Sequence, residues 1–260
     1  MLVTERLSRF ADLSDDDREA KGIISTARTQ TAFLSNEAIR RSLMGQGVGV
    51  DDLRQEPGAT IYLILPGEYI DTCKKWFRLV IDSLLRGLMK TRKGNEVVMV
   101  LDEFANLGHL GSVEVAMALA AGYGVKLWPI LQDLNQLKEL YKNKWETFLA
   151  NSGMQQFFTP RDQTTADYIS KRCGQMTVKV VNTSTRELSA NEMAEGYSGV
   201  SHSQSTQAHE LFLPQDILGM AGDKQLIFMA GVPHVVVGHR YPYWKWPEFQ
   251  GKYSPDPYYS

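Results

Sequence analysis

The chain has 260 residues, enough for one sizeable domain or one domain with fragments. Hydrophobic residues make up 43% and charged residues 22%, an ordinary globular balance. Lys and Arg number 28 against 30 Asp and Glu, a net charge of -2, which excludes a broadly basic nucleic-acid binder and leaves any such contact local or made elsewhere.

Residues 1 to 22 are charged and aperiodic, and Ser14-Asp15-Asp16-Asp17 suits a helix cap. Residues 22 to 44 read as helix, with Ile23, Ile24, Ala27, Ile39, Leu43 and Met44 as apolar positions, until Gly45 to Gly49 breaks the pattern. Thr60-Ile61-Tyr62-Leu63-Ile64-Leu65, ended by Pro66-Gly67, reads as a buried strand. Phe77, Val80, Ile81, Leu84, Leu85 and Leu88 then recur at helical spacing across 69 to 90. Val97 to Leu101 is a second buried strand, 112 to 121 a helix, and Val125 to Leu131 a third strand. Leu134, Leu137 and Tyr141 mark a helix, Gly153 to Thr159 a fourth strand, and Thr164 to Cys173 another helix. This alternation predicts an α/β fold with a parallel sheet flanked by helices. Residues 182 to 208 are rich in Ser, Thr, Gln and Asn and read as a flexible loop or insertion. Pro214 to Leu218 suggests a short helix, and Gln225 to Met229 with His234 to Val237 a strand hairpin; the tail is aromatic and Pro-rich.

The sharpest chemical feature is the end of the second strand, where Leu101 is followed by Asp102 and Glu103. Ligands of parallel sheets bind at the carboxyl ends of the strands. An acid there suits a magnesium ion held through water, and a second acid suits polarisation of an attacking water. The same pair also fits a capping Asp beside a solvated Glu. The next strand runs into Gln132, an amide that can meet a terminal phosphate or begin a surface helix. No G-x-x-x-x-G-K-[ST] occurs; Gly45-Gln46-Gly47-Val48-Gly49 is glycine-rich but runs into Asp51 and Asp52, which would repel phosphate. His109, His202, His209, His234 and His239 lack metal-ligand spacing, and there is no nucleophile elbow. Cys73 and Cys173 form no C-x-x-C pair, so they are expected to be reduced and partly buried in a cytosolic compartment. No run of about 18 apolar residues is present, and the first residues do not read as a signal peptide.

Val98-Met99-Val100-Leu101-Asp102-Glu103-Phe104-Ala105-Asn106-Leu107-Gly108 resembles the Walker B segment of type IV secretion coupling proteins, the conjugative DNA-transfer ATPases. Ala121 to Leu137 resembles that family's next strand with its sensor-like glutamine. Asn151-Ser152-Gly153, Thr165 to Ser170 and Lys224 to Phe228 also fit, so the likeness runs from about 20 to about 250.

The resemblance implies a RecA-like P-loop NTPase core that is incomplete here, with the phosphate-loop (Walker A) strand missing. Residues 1 to 22 would be a remnant of an upstream helical insertion, 23 to 250 a partial nucleotide-binding domain with an insertion near 182 to 208, and 251 to 260 a tail. By resemblance, Asp102 acts on Mg2+, Glu103 on the water and Gln132 on the γ-phosphate of ATP. The family works as a homo-hexamer at the cytoplasmic face of the bacterial inner membrane. It passes relaxase–DNA complexes or effector proteins to the secretion channel. Because the lysine-bearing loop is missing, the chain is expected to be a fragment, a truncated product or half of a split protein, and inactive on ATP alone. Two other functions fit: a non-catalytic module that docks substrates or partners, and a related hexameric DNA pump of the chromosome-segregation kind. Arg161 and Arg172 are weak candidates for an arginine finger and serve equally as solvated charges.

Overall fold

A computed structural model describes residues 18–45, 47–187, 194–195 and 200–254. Expectations for residues 1–17, for the centre of the Ser/Thr-rich stretch and for 255–260 lie outside these residues. The elements in order are α1 (Arg18–Thr31), α2 (Glu37–Met44), α3 (Val50–Gln55), α4 (Ile70–Leu88), β1 (Val97–Leu101), α5 (Gly111–Leu119) and β2 (Val125–Pro129). There follow α6 (Leu134–Tyr141), α7 (Trp145–Ala150), β3 (Met154–Phe157), α8 (Gln163–Cys173), β4 (Gln175–Thr185) and β5 (Val200–Glu210). Last come α9 (Pro214–Leu218), β6 (Lys224–Met229) and β7 (Val236–His239). Among the described residues no helix is long and apolar enough to cross a membrane.

The chain forms two compact units: residues 1–131 with 144–148, and residues 132–143 with 149–260. In the first unit β1 and β2 pair in parallel, Val97 opposite Val125 and Leu101 opposite Pro129. The long helix α4 buries Cys73, Ile81, Leu85 and Leu88, spaced so that they share one face. That face meets α5 and the 3-10 turn at Phe104–Leu107. Fully burying one such side chain is worth about 1.5–3 kcal/mol. Val97, Leu101 and Val125 close the core from the sheet side.

In the second unit β3, β6 and β7 form an antiparallel sheet in that order, Gln155 opposite Phe228 and Leu226 opposite Val237. Ala166 and Ile169 of α8, Ile217 of α9, and Leu226 and Phe228 of β6 make its core. Asp162 fixes the start of α8, its Oδ1 accepting from Thr165 N at 2.9 Å. Gly174, at φ 81, releases the chain into β4.

Five expectations change. Residues 60–65 are no strand: Ile61, Leu63 and Leu65 are half-buried while Tyr62 and Ile64 are 80% and 81% exposed. The alternation is a strand's, yet no neighbour pairs with this backbone among the described residues, and a strand exists only through its ladder. The helix read across 22 to 44 is split by a 3-10 turn and restarts where Asn36 Oδ1 accepts from Ala38 N and Ile39 N. The fourth strand, β3, does not extend the parallel pair but joins β6 antiparallel. The stretch 182 to 208, read as a loop, belongs at both ends to an eleven-pair ribbon of β4 with β5. Regular backbone pairing there outweighs a polar composition. Finally α3 is a helix where none was read, six residues being too short for a period to show.

Candidate active site

The carboxyl end of β1 is locked to the strand beside it. Ile130 N donates to Leu101 O at 3.0 Å, and Phe104 N donates to Ile130 O at 2.9 Å. Asp102 and Glu103 are the two residues between those bonds, so they form a short excursion beside the end of β2. Both are exposed. Phe104, which follows, is fully buried, its ring centroid 6.0 Å from that of Phe148, and Leu107 is buried behind it. The apolar anchors on either side drive the acids outward.

Glu103 has φ 46 and ψ 46, a left-handed backbone that is uncommon for a residue with a Cβ. Its N–H donates to Asp102 Oδ1 at 3.0 Å, and its Oε2 accepts from Asn106 Nδ2 at 2.6 Å. The amide of Asn106 thus orients the Glu103 carboxylate.

The loop is clamped at its far end. Arg78 of α4 donates to Leu107 O at 2.8 Å and to His109 O at 2.9 Å. Gly108 between them has φ 71, and a Cβ there would lie 3.2 Å from Arg78 Nη1 and 3.3 Å from Lys74 Nζ. With ψ -169, this is backbone that essentially only glycine adopts.

The structure therefore brings together Asp102 and Glu103, and adds Asn106 and Arg78 to them. Gln132 is the first residue of the second unit, where its N–H donates to Gln136 Oε1 at 3.1 Å. Asp133 caps α6 by accepting from Gln136 N at 2.9 Å. Sequence reasoning did not single out Asn106 or Arg78. An Asn three residues after a turn acid was the available signal for the first. Nothing local marks the second, whose role depends on α4 lying beside the turn. Of the two arginines weighed as a finger, Arg172 has its guanidinium 4.9 Å over the Phe228 ring, while Arg161 lines a surface cleft in the second unit.

Two exposed carboxylates at a strand end suit a magnesium ion that keeps most of its waters, for magnesium takes one or two protein carboxylates and completes its shell with water and phosphate oxygens. Asp102 has Oδ2, and Glu103 Oε1, beyond the bonds described. The donor set thus fits the metal and the lytic water. A cradle for the β- and γ-phosphates would need donors of the glycine-loop and lysine kind, and no such motif occurs in the 260 residues.

Comparison with known proteins gives one family. Residues 4–256 match the model for the type IV secretory system conjugative DNA transfer family. The conjugal transfer protein TraG of Agrobacterium fabrum is 32% identical over 243 residues, covering 91% of this chain and 35% of that protein. The type IV secretion system-coupling protein VirD4 of Bartonella henselae is 28% identical over 243 residues, covering 91% of this chain and 36% of that protein. The chain thus spans about a third of the length of these relatives. Among solved structures, the bacterial conjugative coupling protein TrwBdeltaN70 superposes with a TM-score of 0.66 at 16% identity, covering 89% of this chain and 52% of that one. The plasmid coupling protein TrwB in complex with ADP and Mg2+ superposes with a TM-score of 0.63, also at 16% identity, covering 88% and 51%. The shared fold is the RecA-like α/β fold. A parallel β1–β2 pair that ends in two carboxylates, on that fold and with these relatives, makes the chain a member of the type IV secretory system conjugative DNA-transfer family.

Proposed function

We propose that this chain supplies the acidic half of an ATP site in a coupling motor that drives DNA through a type IV secretion channel. The observation that carries the reading is the exposed Asp102–Glu103 pair, held between two backbone bonds to Ile130 with Glu103 in a left-handed conformation. Sparsely populated backbone at a strand end is a pattern of functional sites.

In this reading Asp102 holds Mg2+ through water. Glu103, oriented by Asn106, accepts a hydrogen bond from the attacking water and takes its proton. Gln132, two residues after Ile130 in the chain, donates to the γ-phosphate. A bound Mg2+ ion would neutralise charge on the phosphate oxygens. Arg78 keeps the turn after Glu103 from moving. Support for the nucleotide comes from TrwB, solved with ADP and Mg2+ and with ADPNP. The proposal extends to a relaxase–DNA or effector cargo, the channel proteins, a homo-hexamer and a place at the cytoplasmic face of the bacterial inner membrane, and membership of the family supports it.

One observation favours a second reading. Without a phosphate-loop motif in its sequence, the chain on its own would dock substrates or partners and leave ATP intact. ATP turnover separates the two. The 260-residue chain alone should hydrolyse ATP at background. Joined to a segment bearing G-x-x-x-x-G-K-[ST], it should turn over, and Glu103→Gln in that fusion should lower kcat by about 10²-fold or more, the range of a general base. Turnover that survives Glu103→Gln would remove Glu103 from the chemistry. A fusion that folds yet stays at background would leave the docking role.

A further inference from the structure

The second unit carries a surface that the acidic motif does not use. The segment after β3 and the residue after β7 meet in a cleft of about 590 Å³, lined in part by Phe158, Arg161, Leu218, Met220 and Arg240. Thr159 Oγ1 donates to Met220 O at 3.0 Å and ties the segment after β3 to the turn between α9 and β6. Among the described residues the only charged groups lining the cleft are the two guanidiniums. Neither is ion-paired with an acid among the described residues. Arg240 lies with its guanidinium carbon 4.8 Å from the centroid of the Phe158 ring. Stacking of this kind holds the group in place and leaves its in-plane N–H donors directed outward.

Beyond Arg240 the chain changes character. Residues 241–253 contain Tyr241, Tyr243, Trp244, Trp246, Phe249 and Tyr253, interleaved with Lys245 and Lys252, against a single acid, Glu248. None of the six rings is buried: Tyr241 is 65% exposed, Trp244 54% and Trp246 41%. They meet edge to face, Tyr241 with Trp246 and Tyr243 with Trp244, rather than entering a core. Exposed aromatic faces beside cations are the parts of a single-strand binder, in which phosphates meet the charges and bases stack on the rings. A membrane surface also attracts Trp and Lys, but an interfacial anchor is an amphipathic helix with one apolar face. Here Tyr243 and Trp244 sit on one three-residue 3-10 turn, Tyr243–Lys245, and Phe249 on another, Pro247–Phe249, with Trp246 between them, beside a cleft that holds two guanidiniums.

We propose that this cleft and the aromatic segment after it bind single-stranded nucleic acid, with a phosphate on Arg161 and Arg240 and successive bases on the rings from Tyr241 onward. The choice of polyanion rests on the DNA-transfer reading, but the site uses neither Asp102 nor Glu103.

The test is fluorescence anisotropy of a labelled thymidine oligonucleotide titrated with the whole chain, without ATP or magnesium, so that failure of the acidic site leaves the result untouched. The strand should bind with a steep salt dependence. The double variant Arg161→Ala, Arg240→Ala should bind about tenfold more weakly and show a shallower slope against log salt, by about 0.7 for each phosphate no longer neutralised. Trp244→Ala with Trp246→Ala should weaken binding about fivefold or more, the lower end for losing a stacked base. If circular dichroism shows the alanine pair unfolded, Arg161→Lys with Arg240→Lys, which keeps the charge but removes the fork and the stack, must still weaken binding. Variants that bind like the wild type would overturn the proposal. So would a duplex bound as tightly as the strand, full competition by free ATP, or binding only to phosphatidylglycerol vesicles.

Discussion

Glu103 combines a side chain that the proposed chemistry needs with a backbone that a glycine would adopt more easily. A left-handed residue with a Cβ costs about 1 kcal/mol or more relative to glycine. The two bonds to Ile130 and the Asn106 N–H donated to Glu103 O at 2.8 Å hold it there. Glu103→Gly should therefore be more stable to urea than Glu103→Ala by about 1 kcal/mol, although both lack the carboxylate. Equal stability of the two variants would mean that the turn relaxes out of the left-handed region, and the strain argument would fall. Asn106→Ala should leave stability nearly unchanged, since its amide bonds only to an exposed carboxylate, and should lower turnover in the loop-bearing fusion by freeing the Glu103 side chain. A change in Tm without a change in kcat would make Asn106 structural only.

The elements of the first unit meet at Arg54, which is 4% exposed. Its guanidinium donates to Asn95 O at 2.6 Å, Tyr123 O at 2.7 Å and Leu88 O at 3.0 Å, with longer contacts to Thr91 O and Gly124 O at 3.4 Å. One side chain of α3 thus joins the end of α4, the approach to β1 and the turn before β2. The close fit also fixes Gly94, whose Cβ would lie 2.4 Å from Arg54 O. Arg54→Met keeps the stem but orphans several buried carbonyls, each costing about 1–3 kcal/mol, so a loss of at least about 3 kcal/mol is expected from urea unfolding. Arg54→Lys should recover only part of it, because a single ammonium nitrogen cannot reach carbonyls divided between the two terminal nitrogens of the guanidinium. A loss under about 1 kcal/mol for the Met variant would show that water replaces the guanidinium. Nothing in the sequence marks this role: Arg54 lies in Val50–Gln55, which has no readable period, and its partners are 34 to 70 residues away. By contrast α4 was legible because Ile81, Leu85 and Leu88 carry the period of one buried face, and β1 because Val97 to Leu101 is a continuous apolar run, although only one of its faces is buried. The acids at 102 and 103 were legible because an apolar run ends at them. The ribbon of β4 and β5 was not, because its Ser, Thr and Gln side chains are almost all exposed and its order lies in backbone pairing.

Across the whole molecule, one surface conflicts with its own architecture. Parallel strands are normally covered on both faces. Val98 and Val100 of β1, and Trp128 and then Ile130 beside them, are 55%, 53%, 48% and 38% exposed, and the register places Val100 opposite Trp128. The opposite face, with Val97, Leu101 and Val125, is buried. Lys126, paired to Glu96 at 2.6 Å across the strands, is a charged interruption on the exposed side. A contiguous apolar surface of this kind drives association. In light scattering and sedimentation velocity the apparent mass of the chain should therefore rise with concentration. Val98→Thr with Val100→Thr should reduce that rise while leaving the circular dichroism spectrum unchanged, because threonine keeps the β-branched shape and adds a hydroxyl that exposed positions tolerate. Fusion to the loop-bearing segment should reduce it too, if that segment seats on this face to build the ATP site. A chain that stays monomeric over the whole range would mean the face is satisfied without a partner. Association that persists in the threonine variant would move the contact elsewhere, with the aromatic segment at 241–253 the next surface to change.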